Sequence, residues 1–163
     1  MNQSDSAAQS LAKRFQSFNQ TLITFVEQCP ASAWRKITQS EGWPVGVTGH
    51  HIGTVHYPVL GWVQMIVEGK HTPTITMADV DQMNLQHVKD HADCTPAEVA
   101  ELLRSEGDKA VAYLNTINDA DLQREAYLRI FDTTMSAGQL FEIVMISEAE
   151  KHLVSMRETV ERQ

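Results

Sequence analysis

The stretch Ser136-Ala-Gly-Gln-Leu140-Phe-Glu-Ile-Val144-Met-Ile-Ser-Glu148-Ala-Glu-Lys-His152-Leu decides how this chain folds. Ser136 followed three residues later by Gln139 is a capping box, so a helix opens here. Reading back by fours from His152 gives Glu148, Val144 and Leu140, so two polar residues continue an apolar row. Positions i and i+4 share one helix face, which aims a carboxylate and an imidazole into the interior. Buried ionisable groups are costly unless paired, hydrogen-bonded or bound to metal. One answer is a buried hydrogen bond between Glu148 and His152, or a helix rotation that places both at the solvent edge near Glu150 and Lys151. The other is a third ligand supplied from elsewhere in the chain.

Outward from this helix the same periodicity recurs. Leu11, Phe15, Phe18, Leu22 and Val26 repeat at three and four, predicting a long amphipathic helix that ends near Pro30. A second helix is expected from Pro44 to about Gly69. Its inward row runs Val47, His51, Val55, Val59 or Pro58, Trp62 and Ile66, with a bend at Pro58. A third, from Met77 to about His91, opens on the capping pair Thr76 and Asp79. A fourth, opening on the capping box Thr95-Pro-Ala-Glu98, should run to about Ile117. Residues 118–134 are less regular; Tyr127 to Phe131 has some strand character without predicting a sheet. Four long helices with one longer connection make a single all-α bundle domain over residues 1–163.

The apolar fraction of 42% and the 163-residue length suit one globular domain. No apolar run approaches a membrane span, and the polar start Met1-Asn-Gln-Ser lacks the pattern of a signal peptide. Two unpaired cysteines, Cys29 and Cys94, fit a reducing, cytoplasmic setting. A formal net charge of −8 argues against nucleic acid as a partner.

His51 is the candidate third ligand, because it also sits on an apolar helix row. With Glu148 and His152 it makes a two-histidine, one-carboxylate set, which suits catalytic zinc and leaves a position for water or substrate. The same donors accept nickel, iron, cobalt or manganese. His50 lies about 100° from His51 on a helix and is expected outside the first shell or at the surface. His56, five residues on, falls off the stripe and is expected as a wall or surface residue. His87 and His91 are i, i+4 among polar neighbours and read as a solvated face open to adventitious metal binding. Gly42, Gly46, Gly49, Gly53 and Gly61 around the His51 helix imply close packing or space for a ligand.

The segment from Trp43 to His51, with seven residues between the two, resembles the opening of the second helix in DinB/YfiT-like proteins. The segment Ser147-Glu148-Ala-Glu-Lys-His152 resembles their last-helix motif, usually written H-x-x-x-H, with Glu148 standing where many members carry histidine. A His-Glu-His set is similar to that of the mycothiol-dependent maleylpyruvate isomerases of the same superfamily. The resemblance implies an up-down-down-up four-helix bundle and a divalent metal, zinc or nickel first, on His51, Glu148 and His152. It also implies a homodimer and a small-molecule substrate. The reaction would be thiol transfer or isomerisation with a low-molecular-weight thiol, or hydrolysis. The contrasting reading is a non-catalytic binding or dimerisation bundle with a structural or vestigial metal.

Overall fold

The computed structural model describes residues 5–162; the polar start at 1–4 and residue 163 lie outside the described residues. Helix α1 (Ala7–Gln28) begins on the capping box Ser6/Gln9 and turns its row Leu11, Phe15, Phe18, Leu22 and Val26 into the core. Each such side chain, when fully buried, contributes about 1.5–3 kcal/mol. Helix α2 (45–67) follows the N-cap Pro44, and α3 (Met77–Asp90) opens on the Thr76/Asp79 box. Next come α4 (Pro96–Leu114) and the short α5 (Asp119–Leu122), each on its own capping box. A hairpin of β1 (Glu125–Leu128) and β2 (Thr133–Ser136) leads into the last helix, α6 (137–161).

Contacts between the helices fix their directions. The Asp119 carboxylate accepts from the Ala8 N–H at 3.1 Å, and Arg104 of α4 pairs with Glu27, so α4 runs opposite to α1. Phe15 meets Tyr57 edge to face at 5.1 Å while Val26 lies beside Gly49, so α2 is also antiparallel to α1. Phe15 packs on Phe141 at 5.2 Å, and Met156 joins Val26 at Gly49, so α6 runs parallel to α1. The result is the expected four-helix bundle, ordered up, down, down, up, around one continuous apolar cluster. Among the described residues no helix is long and apolar enough to cross a membrane.

Three features depart from the periodicity. Helix α2 is α-helical over Val45–His51, becomes a π-helix over Ile52–His56 and a 3-10 turn over Tyr57–Val59, then resumes as α-helix over Leu60–Val67. Pro58 has no N–H to return to Thr54, and the Tyr57 N–H reaches back five residues to the Ile52 carbonyl. Helix α6 is likewise π-helical over Phe141–Glu148. The hairpin is the third departure. Its strands are four residues each, too short to display a period of two, and it is anchored by Leu128, which is 1% exposed.

Helix α3 stands apart from the bundle. Its only residue buried below a tenth of its surface is His87, while Met77, Met83 and Leu85 are at least half exposed.

Candidate metal centre

Three imidazoles, His51, His56 and His152, present one nitrogen each within 4.8 Å of one another. His51 ends the α-helical part of α2, and His56 ends its π turn. In an α-helix residues five apart point about 140° from each other; the i→i+5 closure of a π turn brings them onto one face. The expectation of His56 as a wall or surface residue is therefore corrected: it is 9% exposed and beside His51, with ring centroids 5.0 Å apart. His152 of α6 faces both, at 5.5 Å from His51 and 4.9 Å from His56.

Hydrogen bonding determines which nitrogens are available. His56 Nδ1 lies 2.9 Å from the Val144 carbonyl, which can only accept, so Nδ1 carries the proton and Nε2 keeps its lone pair. His152 Nδ1 donates to the Glu41 carboxylate at 2.7 Å, leaving its Nε2 free in the same way. The two Nε2 atoms then face each other across 3.1 Å. Either a shared proton or a metal ion relieves two lone pairs so placed. The third imidazole favours the metal: among the described residues the Nδ1 of His51 is buried without a partner, and one nitrogen of His51 belongs to the same converging group. Tetrahedral zinc sets its nitrogens about 3.3–3.4 Å apart, close to the observed separation. The cluster fits a divalent-metal site.

The electrostatics agree with neutral ligands. Burial, then the neighbouring His56 and His152, holds His51 down to about 2. Burial and His152 hold His56 down to about 4, against the raising effect of the Val144 carbonyl and Glu148. Imidazoles must be unprotonated to bind metal. Glu41 is the anionic support behind His152. Burial opposes its charge, but hydrogen bonds from His152, Ser155 and Thr38 prevail and bring its carboxyl down to about 2. Its place comes from a tight turn. The Thr38 N–H bonds to the Trp43 carbonyl, the Gly42 N–H bonds to the Thr38 carbonyl, and Gly42 takes φ +73°, which suits glycine. A ligand imidazole donating its second N–H to a carboxylate or backbone carbonyl is the usual outer support of a metal site; His152 and His56 each have one.

The structure thus brings together two of the residues expected from sequence, His51 and His152, and adds His56. Glu148 lines the same cavity, yet its carboxylate pairs with Lys151 at 2.7 Å and stands outside the converging group. The π segment that ends at Glu148 interrupts the α spacing that continued the row back from Glu148 to Val144 and Leu140, whereas the four residues from Glu148 to His152 keep α geometry. The sequence did not single out Glu41, since loop contacts leave no periodic signal. His56 had one usable sign: Pro58 two residues on, which disrupts the ladder.

A cavity of about 460 Å³ opens onto the cluster. Its walls are mostly apolar, with Trp43, Trp62, Phe131 and Ile143 prominent, and among the described residues Glu148 is the one acidic residue lining it. Met77, Val80, Met83 and Asn84 of α3 form part of the wall, and Asn84 holds a buried Oδ1 without a partner among the described residues.

This is a helical bundle with a histidine cluster that fits a divalent metal at the base of an apolar cavity. The chain belongs to the DinB superfamily, whose family model matches residues 14–154. Its fold is similar to that of YfiT from Bacillus subtilis, a probable metal-dependent hydrolase with an unusual four-helix bundle topology. That match has a TM-score of 0.77 at 18% identity, covering 98% of this chain and 90% of that one. It is also similar to an uncharacterised protein from Clostridium difficile 630, with TM-score 0.72, 11% identity and 96% of each chain covered. A third similar structure is the DinB-like YjoA from Bacillus subtilis, with TM-score 0.60 and 16% identity over 93% of this chain and 90% of that one. Comparison with curated protein sequences finds no match.

Proposed function

We propose that this chain is a metal-dependent enzyme that directs a small nucleophile, a low-molecular-weight thiol or water, at an apolar electrophile held in the cavity. The observation that carries the reading is the convergence of His51, His56 and His152 on the floor of an open cavity; a closed, fully wrapped cluster would suit a structural metal instead. A divalent metal bound there, zinc or nickel by donor type, supplies Lewis acidity that lowers the pKa of a water or thiol ligand.

The chain's own groups have distinct tasks in this reading. His56 and His152 hold their Nε2 atoms toward the site because Val144 and Glu41 fix their Nδ1 protons. Glu148 is the oxygen donor implied by the family pattern. Its pair with the exposed Lys151 is worth little, so its carboxylate is free to complete the donor set with His51 and His152 or to give way to substrate. Trp43, Trp62, Phe131 and Ile143 exclude water and accept an apolar substrate body.

The family resemblance supports a thiol as nucleophile, and the description of YfiT as a probable hydrolase supports water. A panel of apolar electrophiles, assayed on metal-loaded protein with and without low-molecular-weight thiols, separates the two. Thiol-dependent turnover is expected. Turnover indifferent to thiol would assign hydrolysis, and no turnover with any electrophile would leave a binding module.

A further inference from the structure

We propose that His50, His87 and His91 form a second transition-metal site, which ties α3 to α2 and holds α3 against the cavity. One nitrogen from each of these residues lies within 4.8 Å of the others. His50 Nδ1 is 3.4 Å from His87 Nε2, and the His50 ring stacks on His91 with centroids 4.0 Å apart. His87 and His91 stand i, i+4 at the end of α3, their rings 4.6 Å apart. Three imidazoles suit zinc, nickel or copper, with water completing the shell. The carbonyl end of a helix also favours a cation there. The expected solvated face is therefore not what the structure shows, since His87 is 9% exposed and packed against His50.

The position of the cluster gives the site a purpose. Helix α3 has almost no apolar anchor, and His87 is its one buried residue. The same helix walls the cavity with Met77, Val80 and Met83. A helix fastened by few apolar contacts opens locally at little cost, and a metal shared between His50 and the His87/His91 pair would suppress that opening. The two clusters lie back to back: His50 and His51 are consecutive, and the His51 and His87 rings are 5.6 Å apart. Occupancy of the second site would thus govern access to the first.

The test is zinc titration of the full chain, with metal counted after desalting and hydrogen exchange followed over residues 77–90. Three further proteins are compared: His51→Ala/His152→Ala, His87→Gln/His91→Gln, and His50→Gln as an independent change on α2. Wild type should take two equivalents and each double variant one, with His50→Gln matching His87→Gln/His91→Gln. With zinc at about ten times its Kd, exchange in 77–90 should slow about tenfold. That slowing should persist in His51→Ala/His152→Ala and vanish in the other two variants. No zinc retained by His51→Ala/His152→Ala, or slowing that survives loss of His87 and His91, overturns the proposal. Neither result touches the His51 centre, which is counted separately.

Discussion

Replacing Glu41 with glutamine should weaken metal binding without unfolding the bundle. Glu41 accepts from His152 Nδ1 at 2.7 Å and from Ser155 Oγ at 2.6 Å, and it is ionised at neutral pH. Glutamine keeps the shape and one acceptor oxygen but removes the charge. Its amide group can donate to Ser155, whose hydroxyl then accepts, so no polar atom need be orphaned. Charge-assisted hydrogen bonds are roughly twice as strong as neutral ones, and the lost charge makes His152 a poorer donor to metal. Changes to such outer partners typically cost 10–100-fold in metal affinity, or about 1.4–2.7 kcal/mol. Competition against a calibrated chelator measures the affinity, and circular dichroism monitors the fold. Ser155→Ala, which removes one hydrogen bond and no charge, should cost less. Unchanged affinity in a well-folded Glu41→Gln protein would refute the reasoning.

Other predictions concern pH, packing and the carboxylate. Because His51 and His56 are depressed to about 2 and about 4 from an ordinary 6.5, the unfolded chain takes up protons before the folded one. Metal-free protein should therefore hold a constant Tm above about pH 7 and lose stability from pH 6.5 toward 4; a flat Tm across that window would contradict the burial of these rings. Gly107→Ala places a methyl group on Asn19, which donates to the Leu103 carbonyl at 3.0 Å and accepts from the Tyr57 hydroxyl at 2.8 Å. A loss of about 1–3 kcal/mol in denaturant unfolding is expected, and a neutral effect would show that this junction is loose. Glu148→Gln should lower metal affinity if the carboxylate joins the donor set, read by the same chelator competition; full affinity would leave Glu148 a residue of the cavity wall.

The bundle was legible because its helices announce themselves locally. The boxes at Thr76, Thr95 and Ser136 set three helix starts, and the rows of α1 and α6 gave the core. His51 and His152 were legible as polar residues on apolar rows. His56 was not, because α periodicity puts it off the His51 stripe and the π turn at Ile52–His56 changes which residues share a face. Glu41 was hidden for another reason: it reaches His152 across 111 positions of sequence from a loop. The His50, His87 and His91 cluster was half visible as an i, i+4 pair, but only tertiary packing brings His50 to it. The β-hairpin escaped because Thr133 and Thr134 carry no apolar alternation.

The central claim is that His51 and His152 bind a metal ion at the cavity floor. Elemental analysis of protein purified without a histidine tag, compared with His51→Ala and His152→Ala in the His87→Gln/His91→Gln background, tests it most directly. Near-stoichiometric zinc or nickel in the parent, lost in both single changes while the helical spectrum is kept, is the predicted result. No metal in the parent even after reconstitution, or full occupancy in both variants, would contradict it.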